Sequence, residues 1–197
     1  MILKRLFDIV LSIFGILFLI PILLVISILI VLDSRGDVFF IQKRVGKNNI
    51  DFSLYKFRTM SAGSEKKGLL TVGAKDNRIT KIGYYLRKYK LDELPQLFNV
   101  LFGDMSLVGP RPEVRKYVDL YTDNQKEILK VRPGITDYAS IEYFNENEVL
   151  AKSSNPEQTY IDEIMPHKIE LNRKYISEIG VFTDCKIIMR TISKIFK

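Results

Sequence analysis

Between Asp8 and Asp33 the chain runs for 24 residues, Ile9 to Leu32, without one charged side chain. Such a run exceeds the roughly 20 residues that a helix needs to cross the hydrocarbon of a bilayer. It is too long for the apolar region of a signal peptide, and no small-residue cleavage site follows it. Pro21 sits near its middle, where proline removes one helical hydrogen bond and clashes with the preceding turn. Each half is then about 12 residues, or about 18 Å at 1.5 Å per residue, enough to enter one leaflet and return. Positive charge flanks both ends: Lys4 and Arg5 before the run, then Arg35, Lys43, Arg44 and Lys47 after it. The positive-inside tendency puts both flanks in the cytoplasm, which a re-entrant helix broken at Pro21 allows and a straight span does not. The expected division is therefore a membrane-inserted re-entrant helix over residues 1–32 and a cytoplasmic domain over residues 33–197 at the membrane interface. A single transmembrane span is the alternative, since proline is also tolerated within membrane helices.

The remaining length suits one domain with its own core. Its charge is uneven: residues 33–90 carry fourteen Lys/Arg against five Asp/Glu, a net of +9, whereas residues 113–197 carry thirteen against fourteen. The basic half fits anionic lipid headgroups, an anionic substrate or nucleic acid. One cysteine, Cys185, excludes an internal disulfide, and a single histidine makes a structural zinc site improbable. Cys185 reads as a small core or interface residue. His167, between Pro166 and Lys168, reads as a surface residue.

Coarse patterning gives an α+β domain that is mostly helical. Val38–Gln42 and Phe52–Met60 read as a small β-hairpin turning through Gly46-Lys47-Asn48-Asn49, where asparagine tolerates a left-handed backbone. Lys56 and Arg58 then share a strand face, which suits a diphosphate or else a solvated edge. Ser61–Asp76 reads as a polar loop able to close over a substrate, and Ile79–Leu91 as an amphipathic helix. Tyr117, Val118, Tyr121 and Ile128 predict a helix ended by Arg132-Pro133-Gly134. At the C-terminus, Cys185, Ile188, Met189, Ile192, Ile195 and Phe196 line one helical face and Lys186, Arg190, Lys194 and Lys197 the opposite flank, the pattern of a helix lying in the membrane interface or packed on the domain.

Arg87 to Pro112 is the chemically richest stretch. Asp92 and Glu93 stand together before an apolar run at helical spacing (Leu94, Leu97, Phe98, Leu101), with Arg87 upstream and Arg111 downstream between Pro110 and Pro112. The commonplace reading has Asp92 capping a short helix. The functional one has a carboxylate placed to attack phosphorus or hold a metal ion, beside a helix start that favours phosphate.

Leu91-Asp92-Glu93-Leu94-Pro95-Gln96-Leu97-Phe98-Asn99-Val100-Leu101 with Gly103 to Pro112 resembles the signature of the bacterial sugar transferase family, the monotopic phosphoglycosyl transferases. Tyr55 to Met60 and Val131 to Thr136 match in the same order, and so long a match is far more specific than a lone motif. After Thr136 the chain departs from the pattern of many members. The resemblance implies an N-terminal re-entrant helix at the bacterial cytoplasmic (inner) membrane, with the catalytic domain facing the cytoplasm. It implies transfer of a sugar-1-phosphate from a UDP-sugar to polyprenyl (undecaprenyl) phosphate through a phosphosugar–aspartyl intermediate, with release of UMP, as the start of polysaccharide or glycoconjugate assembly. Asp92 would be nucleophile and Mg²⁺ ligand and Glu93 its assistant, with Arg87, Arg111, Lys56 and Arg58 binding substrate. The partners implied are the lipid bilayer and the two substrates, with no nucleic acid; homo-oligomerisation stays open. Two rival readings remain, a membrane-anchored non-catalytic scaffold of the same fold and a basic nucleic-acid-binding module carrying Tyr84, Tyr85 and Tyr89 among its cations.

Overall fold

The computed structural model describes residues 2–61, 63 and 76–196. The charge-free run lies within one helix, α1 (Ile2–Asp33), 32 residues long, or about 48 Å at 1.5 Å per residue. It is long and apolar enough to cross a membrane, and only 11% of its most apolar window is buried within the protein. Pro21 does not end it: helical backbone continues through the proline. Only the hydrogen bond that the proline nitrogen cannot donate is necessarily lost, and a long helix with intact turns on either side absorbs that loss.

Both ends of α1 grip the same domain. Near its start, Lys4 pairs with Asp184 and donates to the Val108 carbonyl at 3.0 Å. Arg5 donates to the carbonyls of Val100 and Leu101, and Asp8 accepts from Ser106 Oγ and Leu107 N. At its far end Ile26 and Ile30 pack with Phe57 and Leu86. Asp33 Oδ2 there accepts from Ile82 N at 2.9 Å.

The hairpin follows as β1 (Phe39–Val45) and β2 (Asp51–Phe57), antiparallel, with Phe39 opposite Phe57 and Val45 opposite Asp51. Asn48 and Asn49 take φ of 56° and 62° in its turn, the conformation expected of them. Of the loop expected over Ser61–Asp76, Ala62 and residues 64–75 lie outside the described residues. Its ends meet at a bridge between Met60 and Ile79. Then come α2 (Lys81–Lys88), capped by Thr80 accepting from Gly83 N, a single 3₁₀ turn at Leu91–Glu93, and α3 (Gln96–Phe102).

The helix expected beyond Pro112 is instead broken into α4 (Arg115–Val118) and a 3₁₀ stretch, Gln125–Lys130. A strand pair absent from the sequence reading joins β3 (Ser106–Val108) to β4 (Gly134–Thr136) in parallel. Gly109 and Gly134 let those chains approach, for a Cβ on Gly134 would overlap the Gly109 backbone. Helices complete the fold: α5 (Tyr138–Glu142), α6 (Glu146–Ala151), α7 (Pro156–Thr159), a π turn at Tyr160–Ile164, α8 (Met165–Ser177) and α9 (Val181–Ile195).

Of the two settings expected for the α9 stripe, lying in the membrane interface or packed on the domain, the fold leaves most of it facing outward. Asp184 and Ile187 are the fully buried positions of α9, whereas Phe182, Met189 and Phe196 are exposed, as is Cys185. The polar network beneath it decides this. Buried Asp184 accepts from Tyr175 Oη at 2.8 Å and pairs with Lys4, so the acid faces inward and apolar side chains face out. Among the described residues the core comprises four apolar clusters rather than one, and a large cavity is lined by residues that belong to them or pack against them.

Candidate active site

Asp92 and Glu93 reach the cavity because the chain reverses just before them. Lys90 holds a left-handed backbone, φ 55° and ψ 21°, a conformation costing a non-glycine residue roughly 1–2 kcal/mol. Strain of this kind is typical of residues whose position serves a site. The reversal brings Arg87, five residues upstream, back to the cavity, where it hydrogen-bonds Thr59 Oγ1 at 2.8 Å and acts electrostatically on Asp92. Asp92 does not cap a helix: α3 begins at Gln96 with Pro95 before it, and Asp92 Oδ1 is buried with no hydrogen-bond partner. The anion-attracting feature here is a group of cations rather than a helix start.

The two carboxylates are set apart chemically. Glu93 takes a two-point contact from Arg111, Nη1 to Oε2 at 3.1 Å and Nη2 to Oε1, and Lys56 Nζ donates to Oε1 at 3.1 Å. Burial alone would raise the Glu93 pKa, but Arg111 and Lys56 together hold it well below the usual carboxylate range. Asp92 moves the opposite way. Burial and the neighbouring Glu93 charge raise it, against the opposing pull of Lys56, Arg87 and Lys90. The two adjacent acids are thus pushed in opposite directions, one by burial and its neighbour's charge, the other by its cationic partners.

The cations are held with equal care. Arg111 is fixed at its backbone, where its N–H donates to Asp137 Oδ2 at 3.2 Å. Burial lowers the Lys56 and Lys90 pKa values, opposed by Glu93. Lys90 also lies over the Phe144 ring, 4.8 Å from its centroid.

Arg58 departs from expectation. Its guanidinium donates from Nε to the Asp37 carbonyl, from Nη1 to Ser34 Oγ and the Arg35 carbonyl, and from Nη2 to the carbonyls of Ser34 and Gly36. All five donors of the guanidinium are thus engaged. Arg58 ties the exit of α1 to the hairpin and has none left for a phosphate.

Sequence reading missed a second ion pair beside the first. Arg44 contacts Glu113 Oε1 at 3.1 Å and the Pro112 carbonyl at 3.2 Å, and Tyr160 Oη donates to Glu113 Oε2. Glu113 follows the Pro110-Arg111-Pro112 motif directly, and that adjacency was its sequence signal. His167 is half-buried and hydrogen-bonded through Nδ1 to Tyr143 Oη at 2.7 Å, not a free surface residue.

The cavity measures about 1390 Å³, ample for a ligand larger than a drug-sized molecule. Among the described residues no three His, Cys, Asp or Glu side chains gather to hold a metal by themselves. A hard cation such as Mg²⁺ commonly uses one or two carboxylates plus substrate phosphates, and the orphaned Asp92 Oδ1 fits that donor set.

The chain is similar to known proteins over its whole length. The model of the bacterial sugar transferase family matches residues 1–197. A UDP-N-acetylgalactosamine-undecaprenyl-phosphate N-acetylgalactosaminephosphotransferase of Aeromonas hydrophila is 40% identical over 195 residues, which cover 98% of this chain and 43% of the relative. A UDP-glucose:undecaprenyl-phosphate glucose-1-phosphate transferase of Klebsiella pneumoniae is 37% identical over 200 residues, covering 100% of this chain and 40% of the relative. An uncharacterized sugar transferase, EpsL, of Bacillus subtilis (strain 168) is 40% identical over 195 residues, covering 99% of this chain and 88% of the relative. The chain thus spans about two fifths of the first two relatives and most of the third.

Proposed function

The chain belongs to the bacterial sugar transferase family, and from that premise we propose that it transfers a sugar-1-phosphate from a UDP-sugar to undecaprenyl phosphate, releasing UMP. The observation that carries the reading is Asp92: a buried carboxylate with an unpartnered oxygen, among cations, beside a second carboxylate already neutralised by Arg111 and Lys56. Glu93 is committed to its partners, which leaves Asp92 as the nucleophile.

An Asp92 oxygen attacks the phosphorus bearing the sugar, a P–O bond to Asp92 forms, and the bond to UMP breaks with the bridging oxygen leaving on UMP. Lys56, Lys90 and Arg87 offset the negative charge that would otherwise repel a carboxylate from a diphosphate, a positioned electrostatic contribution. Glu93 keeps Lys56 and the Arg111 fork oriented toward the phosphoryl oxygens. An oxygen of the lipid phosphate then attacks the same phosphorus, the bond to Asp92 breaks, and the carboxylate is restored. Splitting the transfer lets two anionic substrates use one site in turn. Asp92 would hold Mg²⁺ together with substrate phosphates, and the ion would supply further neutralisation of phosphoryl charge.

The acceptor requires a membrane, and α1 is the element suited to one. A straight span would carry its two ends to opposite sides, yet both ends of α1 bind one domain. That favours a helix that enters and leaves the bilayer on one face, with the domain in the cytoplasm at the inner membrane. The exposed Phe182, Met189 and Phe196 on α9 fit the same interface.

The test is covalent trapping. Wild-type protein given a UDP-sugar labelled in the sugar-bearing phosphate should retain label until undecaprenyl phosphate is added, and Asp92→Asn should retain none. Label persisting on Asp92→Asn would assign the nucleophile elsewhere.

A further inference from the structure

The cations around Asp92 account for the phosphates of the donor, but not for its uncharged parts. Another part of the cavity lining comes from α5 and α8. Asp137 ties that wall to Arg111: buried Asp137 accepts from Ser140 N at 2.6 Å through Oδ1 and from Arg111 N through Oδ2. The start of α5 is therefore registered against the residue that orients Glu93. On the α8 side, His167 bonds Tyr143 and Lys168 pairs with Glu146, so the neighbouring polar side chains are already occupied.

Two groups on this wall are not. Asn172 is 5% exposed, and its Oδ1 has no hydrogen-bond partner. Ser140 Oγ is likewise buried and unpartnered. Among the described residues five side chains carry such an orphaned buried atom, and three of them, Asp92, Ser140 and Asn172, line this one cavity. Buried polar groups in native proteins are nearly always paired, so an unpaired buried atom on a residue that lines a cavity calls for a partner that a ligand can supply. Met165 and Ile169, on the turns of α8 preceding Asn172, make the surroundings apolar, which strengthens a hydrogen bond formed there.

We propose that Asn172 and Ser140 form the subsite that reads the uncharged part of the donor, by accepting a hydrogen bond from an O–H or N–H of its sugar or its base. The proposal rests on the reading of the cavity as a UDP-sugar site. Asn172 Oδ1 needs a donor: a sugar hydroxyl, an acetamido N–H and a pyrimidine N–H all qualify. The Ser140 hydroxyl donates or accepts and adapts to whichever is present. The charged side chain that α8 adds to the lining, Lys168, is paired with Glu146, which suits discrimination rather than catalysis. A site built to hydrogen-bond one group discriminates against the analogue that lacks it.

The experiment measures UMP release by full-length protein in membranes for Asn172→Leu and Ser140→Ala. The donor KM should rise about three- to tenfold in each, the effect of losing one neutral hydrogen bond, with kcat little changed. Inhibition by UDP alone separates the two sources: a matching loss of UDP affinity assigns the base, and unchanged UDP affinity assigns the sugar. Should Asn172→Leu lower the melting temperature, Ser140→Ala, which deletes a single atom, decides the matter. A donor KM within about twofold of wild type in correctly folded variants overturns the proposal, a change smaller than one hydrogen bond. That outcome differs from failure of the underlying reading, in which wild type itself would release no UMP.

Discussion

Replacing Asp92 with asparagine should make the protein more stable while abolishing turnover. The side chain is 8% exposed and one of its oxygens has no partner. Burial and Glu93 raise its pKa despite Lys56, Arg87 and Lys90, so the ionised form is unfavourable in the folded state. Leaving a buried polar group unsatisfied costs about 1–3 kcal/mol. Asparagine has nearly the same shape and removes the charge but leaves amide atoms to satisfy, so the recoverable part is about 1–2 kcal/mol. For a chain of this length that corresponds to about 2–8 °C in melting temperature. The pH dependence follows from the direction of the shift. A carboxylate whose folded pKa lies above its unfolded value stabilises the fold when protonated, fully so below the unfolded value near about 3.9. That contribution is lost as pH rises through the folded pKa. The advantage of Asp92→Asn should therefore be largest above the folded pKa and fade as pH falls toward the unfolded one. Thermal unfolding of both proteins in one detergent, from about pH 4 to pH 8, spans that window. A less stable Asp92→Asn, or an advantage that ignores pH, refutes the account of Asp92 as a destabilised carboxylate.

Glu93→Gln removes the counter-charge of Arg111 and Lys56. It should cost about 3 kcal/mol, the low end for a broken buried pair because Arg111 is partly open to the cavity; an unchanged melting temperature would show that the pair contributes nothing. Arg58→Lys cannot reproduce contacts to four carbonyls and a hydroxyl, and loss of two or more charge-assisted bonds predicts about 3–5 kcal/mol. The donor KM of surviving enzyme should not move, and a raised KM at unchanged stability would return Arg58 to the substrate site. Chelation of Mg²⁺ should stop UMP release and restoring the ion should recover it; continued release would remove the metal from the mechanism. Ile2→Cys in a Cys185→Ser background should be shielded from an impermeant thiol reagent added outside intact cells, whereas labelling would establish a spanning α1.

The local sequence determined the pieces of this protein whose cause is local. A long charge-free run makes an apolar helix, alternation around an asparagine-rich turn makes β1 and β2, and the Asp92–Glu93 pair with its arginines carries the resemblance to the family. The register of the pieces was not legible. The parallel pairing of β3 with β4 depends on a close approach of Gly109 and Gly134 across 25 residues, and no periodicity in either strand of three records a partner so distant. The inward face of α9 was set by one buried acid, Asp184, finding Lys4 at the other end of the chain. Arg58 and Glu93 read alike as charged site residues, yet one is consumed in holding backbone carbonyls and the other in holding arginine and lysine. Side-chain type tells what a group can do, but its neighbours in space determine whether burial, repulsion or pairing leaves it free, and only the assembled fold leaves a buried Asp92 oxygen without a partner.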